Sequence, residues 1–319
     1  MQTGGHTGEL SPDAVLSGID SRAFEEYSRE QQPNYVRATD SLFFNQGETV
    51  GIGFIWDEDS NVGEFDETGE MEEILSTDTF IGNQKTVRSQ KWTKKIPLSD
   101  EVFRADMVGK RDAIGQQVGD RARMTQDKRA LLNTYGDAFD GSVHTTPDGS
   151  AFAANNHTTL KGATVDNLET GALSPDNAWI AVNALATQKA QDGDAGSHVM
   201  EGFLMNFLLY KTAKEVLGSD RIANSGENNL NIFDTDYGAV RIGASIFLSS
   251  EYNSATNAAT SYHLISRNHM VNRKVFYGFN TYLREPKNTD NDAYILTAKF
   301  HEATFPGSFT GYVGCNGSA

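Results

Sequence analysis

The sequence predicts an α+β fold. Two long helical segments stand among many short β-prone stretches, without the strand–helix–strand alternation of a parallel sheet. No period of 20 to 50 residues repeats, which argues against a solenoid. At 319 residues the chain exceeds the roughly 250 to 300 residues at which a single core stops growing, so one large or two ordinary domains are expected.

Taken in order, Ser11-Pro12-Asp13 is a helix start, with a capping Ser, Pro at the first helical position and an acid in the first turn. Ile19, Phe24 and Tyr27 continue an amphipathic segment to the Gln31-Gln32-Pro33 stop, and residues 1–45 read as an arm. Residues 46–98 read as a long two-stranded excursion, with β-like stretches at Phe43–Trp56 and Thr79–Ile96 around glycines. Ser99 then caps a helix with Asp100 and Glu101 in its first turn, the sign favoured at a positive helix end. Phe103, Met107, Ile114, Val118 and Ala122 recur along it at helical spacing. Unbroken to Tyr135 it would run about 50 Å. Gly115 and Gly119 each weaken it by roughly 1 kcal/mol relative to Ala, which suggests either close backbone approach to a crossing sheet or a bend.

Residues 136–171 are loop-rich. Ser174-Pro175-Asp176 repeats the helix-start signature, with Trp179, Val182 and Ala186 on the helix that follows. Gly202–Tyr210 is a continuous apolar run and a buried strand candidate, followed by a short helix over Thr212–Leu217 that Gly218 stops. Further strands are expected at Asn231–Phe233, Ala239–Leu248, Tyr262–Ile265, Lys274–Leu283, Tyr294–Ala303 and Phe309–Val313.

Charge is segregated. Ile55–Glu73 carries nine carboxylates and no base, whereas Gln84–Lys95 carries five bases and no acid. A formal net charge of −16 opposes a protein that grips nucleic acid by neutralising phosphates. No window approaches the roughly 18 apolar residues of a membrane span, and the N-terminus has neither the basic region nor the apolar core of an export signal. Cys315 is the only cysteine, so an internal disulfide is excluded and an inert thiol is expected.

Catalytic signatures are missing. There is no G-x-S-x-G elbow, Walker loop or H-E-x-x-H pair. Gly51 and Gly53 give two glycines of a dinucleotide fingerprint without a following helix. Asp57, Asp59 and Asn61 begin like a calcium loop, but Val62 and Thr68 occupy its Gly and Glu positions. His263 and His269 are spaced as core or surface residues. No catalytic residue, cofactor or metal ligand is assigned.

Several stretches together are similar to a known family. They are "PDGSAFAANNHTT" (Pro147–Thr159), "GALSPDNAWIAVNALATQKAQDGDAG" (Gly171–Gly196), "FLLYKTAKEVLGS" (Phe207–Ser219), "NLNIFDTDYGAVRIGASIFLS" (Asn229–Ser249) and "YLREPKNTDNDAYILTAKFHEATFPGSFTGYVG" (Tyr282–Gly314). In this order, behind a polar arm and a charged excursion, they resemble the tailed-phage major capsid proteins of the Hong Kong 97 fold. The resemblance implies an N-terminal arm, an extended two-stranded loop (residues 46–98), and a peripheral domain with a long spine helix (99–167, completed by C-terminal strands at 273–319). It also implies an axial domain at 168–272. It implies a subunit that assembles with itself as hexamers and pentamers around double-stranded DNA in a virion put together in the host cytoplasm, with scaffolding, portal and decoration proteins as partners. No membrane is involved. Asp57, Asp59, Glu64, Lys85, Arg88, Lys91, Trp92, Lys94 and Lys95 become candidate inter-subunit contacts on the extended loop. Some members join subunits by a Lys–Asn isopeptide bond. Lys85 or Lys91 with Asn288 or Asn291 would be the matching pair, without a matching Glu, and non-covalent assembly is expected. An encapsulin-like compartment shell is the alternative, and a hydrolase with an unrecognised site a more distant one.

Overall fold

The computed structural model describes residues 12–29, 35–59, 81–99, 110–218, 233, 240–255, 258–284 and 293–318. The chain divides into two compact units, one of residues 1–31, 89–127 and 275–302, the other of 32–88, 128–274 and 303–319. The first turns expected after Ser99, the excursion's tip with Glu64, and both Asn288 and Asn291 lie outside the described residues. Of the Asn231–Phe233 stretch only Phe233 is described, buried in a hydrophobic core.

The first unit is built from two helices and a sheet face. Helix α1 (Pro12–Ser28) and helix α2 (Lys110–Leu131), as far as Asp127, share a core with strands β4 (Gln90–Ser99), β11 (Val271–Arg284) and β12 (Ala293–Pro306). β4 and β12 pair antiparallel from Ser99↔Ala293 to Gln90↔Glu302. Period-2 alternation then puts Leu98, Tyr294, Leu296, Ala298 and Phe300 in one cluster, where Ile19 and Ala23 of α1 and Val118 of α2 meet them. The two glycines of α2 are explained here. A Cβ on Gly115 would lie 2.9 Å from the Ile19 carbonyl oxygen, and one on Gly119 would collide with that of Ala23. The close approach expected from the sequence exists, but the crossing element is α1 rather than a sheet. Residues 1–45 therefore include a helix that packs into this unit's core.

The second unit holds a five-stranded sheet of order β7-β13-β10-β8-β9, made of β7 (Leu168–Glu169), β8 (Met200–Asn206), β9 (Arg241–Ser245), β10 (Tyr262–Ser266) and β13 (Tyr312–Cys315). β10 is antiparallel to both β8 and β13, while β8–β9 and β13–β7 are parallel. Helix α3 (Pro175–Ala186) starts as its signature predicts, with the Ser174 hydroxyl accepting from the Asn177 N–H at 3.2 Å. It buries Ala178, Ala181, Val182 and Leu185 against Phe203, Leu264 and Val313. The apolar run from Gly202 is a strand only to Asn206, whose side chain accepts from Leu209 N and turns the chain into helix α4 (Tyr210–Leu217), ended by Gly218. Tyr135, Phe152 and Tyr312 form an aromatic cluster, with Phe152 and Tyr312 stacked at 3.7 Å and the Tyr135 hydroxyl donating to Phe43 O at 2.6 Å. His263 bonds to Tyr312 at 2.8 Å, and burial lowers its pKa to about 3. Cys315 is buried in the core of this sheet, and burial raises its thiol pKa well above the ordinary value.

The excursion is a hairpin of β2 (Gly53–Asp59) and β3 (Ile81–Arg88), antiparallel from Gly53↔Arg88 to Asp59↔Ile81 with a bulge at Asp57/Asp59. The second arm expected over Thr79–Ile96 is divided. It breaks at Ser89, which is buried with its hydroxyl 3.1 Å from His301 Nε2, and the next residues belong to β4. In the first unit β11, β12 and β4 are neighbours in one sheet, in that order. Among the described residues no helix is long and apolar enough to cross a membrane.

Candidate functional site

The hairpin root presents an inward face and an outward face. Phe54, Trp56 and Glu58 of β2 alternate inward, as do Asn83, Lys85 and Val87 of β3. Val87, Phe54 and Trp56 pack with Ala303 and Phe305, Trp56 meeting the Phe305 ring edge-on at 5.4 Å. The Trp56 indole N–H donates to Gly307 O at 3.0 Å. That approach requires a glycine, since a Cβ at 307 would fall 2.7 Å from the indole nitrogen.

The inward face also carries ionisable groups. Lys85 donates to the Thr145 carbonyl, and its ammonium lies 5.9 Å from the Phe305 ring centroid. Burial lowers its pKa from 10.5 to about 8 despite the Asp137 carboxylate. Asp137 itself accepts from the backbone N–H groups of Ser142, Val143 and His144 at 2.8–2.9 Å. Burial and then Lys85 push His144 down to about 4. On β2, Glu58 is 4% exposed and accepts from Gln191 Nε2 at 2.6 Å, and Gln191 also reaches Ser308 Oγ at 3.0 Å.

Next to this lies the Asp-Gly loop. Gly149 sits at φ 88°, Asp148 bonds to Thr146 and Ser150, and its other oxygen is 2.7 Å from His157 Nδ1. Burial opposes ionisation of Asp148, but the His157 and Thr146 bonds prevail and hold it at about 2. His157 is fully buried and stacked 4.4 Å from the Phe309 ring, closed to any substrate. Among the described residues no group of three or more His, Cys, Asp or Glu is placed to hold a metal ion.

β4 in the first unit is different. Lys91, Lys94 and Lys95 are exposed, opposite His301, Ala298 and Thr297 of β12. Beside it a groove of about 510 Å³ is lined by Trp92, Ile96, Val118 and Phe300 together with Lys94 and Arg121.

No protein-family model matches the chain, and no curated protein matches it by sequence. Solved structures match it nearly end to end. The capsid of Ralstonia phage GP4 aligns over 89% of this chain and 89% of its own, with a TM-score of 0.55 at 12% identity. The capsid of an empty GTA particle covers 97% of this chain and 100% of its own at 0.53 and 10%. The fold is that of the Hong Kong 97-like capsid proteins. A virus-like particle from Pyrococcus furiosus shares it over 94% of this chain and 98% of its own, at 0.53 and 9%.

Within this Hong Kong 97-like fold the nine candidate contacts separate. Arg88, Lys91, Lys94, Lys95 and Asp59 are exposed, Trp92 and Asp57 are half-buried, and Lys85 is engaged by its own unit. Glu64 lies outside the described residues. Sequence reasoning passed over Glu58, Gln191 and the Asp148–His157 bond. The period-2 run Phe54-x-Trp56-x-Glu58 was the available signal for Glu58. Nothing in the sequence marked Gln191, which is brought to Glu58 from 133 positions away.

Proposed function

We propose that this chain is a shell-forming capsid subunit, assembling as hexamers and pentamers into an icosahedral particle that encloses double-stranded DNA. One observation carries the reading: the likeness to the GP4 and GTA capsid chains extends over 89% and 97% of this chain, nearly end to end. The net charge of −16 supports it, because a wall that repels phosphates avoids the salt-dependent adhesion of a basic lining. Residues 46–98 would be the extended loop, 99–167 and 273–319 the peripheral domain and 168–272 the axial domain. Asp57, Asp59, Glu64, Arg88, Lys91, Trp92, Lys94 and Lys95 would contact neighbouring subunits, with Lys85 shaping the loop from within. Scaffolding, portal and decoration proteins would be further partners, and the subunit would have no catalytic role.

Light scattering and negative-stain microscopy of the purified full chain test this. Capsomers or closed particles are expected. A monomer at every concentration and salt condition, with no particles in the microscope, would overturn the reading. Nuclease-protected DNA inside native particles separates a viral capsid from a compartment, in which a folded enzyme cargo would be found instead.

A further inference from the structure

Among the described acidic residues of β2, Glu58 is the buried one. Its partners come from distant loops, Gln191 before β8 and Ser308 after β12, with Asn83 beside it on β3. Among the described residues no Lys or Arg pairs with it, and its Oε2 is buried without a hydrogen-bond partner. The charged groups that face it are Asp148 and His157. His157 Nδ1 is already held by Asp148, and its Nε2 is also buried without a partner. Lys85, further along the same inward face, is turned to Thr145 beside Asp137 and His144.

We propose that Glu58 is a charge-gated fastener of the hairpin root: neutral, it holds β2 to Gln191 and Ser308, and ionised, it releases the root from the unit beneath it.

The physical case is a count of charges in a dry site. An ionised Glu58 beside Asp148 puts two carboxylates against one imidazole, and a buried charge without full pairing is costly. A neutral Glu58 keeps its acceptor toward Gln191 and removes the repulsion. Burial first, then Asp148, raise its pKa above the ordinary value, against the opposing pull of Ser308, Asn83 and His157. When the root opens, Glu58 meets water and its pKa returns to normal. The closed state therefore binds the proton more tightly, and opening becomes easier as pH rises between the two values. The opening constant climbs at most tenfold per pH unit in that window and levels off above it. The inference concerns one chain and holds whether or not that chain builds shells.

Hydrogen exchange on the full chain, corrected for the intrinsic pH dependence of exchange, reads the opening directly. In the wild type, amides of β2 and β3 should lose protection as pH rises from about 4.5 to 8, while those of β8 and β10 keep theirs. Glu58→Gln should hold the root at its low-pH protection throughout. Root protection that does not change with pH in the wild type, or an unchanged dependence in Glu58→Gln, would overturn the proposal. Should Glu58→Gln fail to fold by circular dichroism, Ser308→Ala serves instead. It removes a donor that favours the ionised form, so the transition should move to higher pH, and an unmoved transition counts against the fastener.

Discussion

One basic run supplies two strands with opposite habits. Lys85 of β3 is drawn into its own unit against Thr145 and Phe305, whereas Lys91, Lys94 and Lys95 of β4 stand exposed along a sheet. The four lysines lie within eleven residues and look equivalent in the sequence. What separates them is the break at Ser89, where the inward positions change from odd (Asn83, Lys85, Val87) to even (Trp92, Ile96, Leu98). A one-residue change of register exchanges every face of a strand, so it turns Lys91 and Lys95 outward, whereas Lys94 keeps the Trp92 side and is exposed there in the groove.

The largest expected effect breaks the root side of this contrast. Phe305 is fully buried under Phe54, Trp56 and Lys85. Phe305→Ala should cost about 3–5 kcal/mol by chemical denaturation. A loss below about 1 kcal/mol would mean that the hairpin root is not packed as described.

An intermediate effect sharpens the contrast through pH. Lys85 has a folded pKa of about 8 against 10.5 when unfolded. Between these values the unfolded chain binds more protons, so stability contributed by this group rises with pH across that window and is lowest below it. Lys85→Met should remove the rise, and Lys91→Met should leave it in place. Melting curves of the three proteins from pH 7 to 10.5 decide the matter, and identical profiles for both variants would erase the distinction between the strands.

The smallest effect on folding belongs to the exposed strand. Replacing Lys91, Lys94 and Lys95 together with Glu should change subunit stability by only about 0.5 kcal/mol per site. Assembly should suffer far more under the proposed function, because like charges brought together at a contact can cost several kcal/mol. Salt should partly restore it by screening over a Debye length of about 8 Å. Unfolding of the triple variant would place these lysines in the core, and normal assembly would remove them from the subunit contact.

What could be read from the sequence was local. Ser174-Pro175 announced α3, Gly218 ended α4, and the apolar stripe marked α2, because capping and periodicity act over a few residues. The α+β class followed from the order of those elements. The break at Ser89 was hidden because Thr79–Ile96 is β-prone throughout, and the residue that Ser89 meets there, His301, lies 212 positions away. The glycines of α2 signalled close approach without naming α1. The fastener was hidden for the same reason: Gln191 and Ser308 are ordinary polar residues until the fold carries them to Glu58. At 9–12% identity to its structural neighbours, the chain keeps topology without keeping side chains.

Among the described residues β4 is the end strand of its sheet. End strands invite copies of themselves, and stacked copies grow into fibres without limit. Two such strands laid side by side at about 4.8 Å would bring three ammonium groups from each into mutual repulsion. Lys91, Lys94 and Lys95 thus guard this edge against open-ended pairing between copies of the chain, and under the proposed function they would do so in the interval between synthesis and assembly, when growth into fibres would compete with closure.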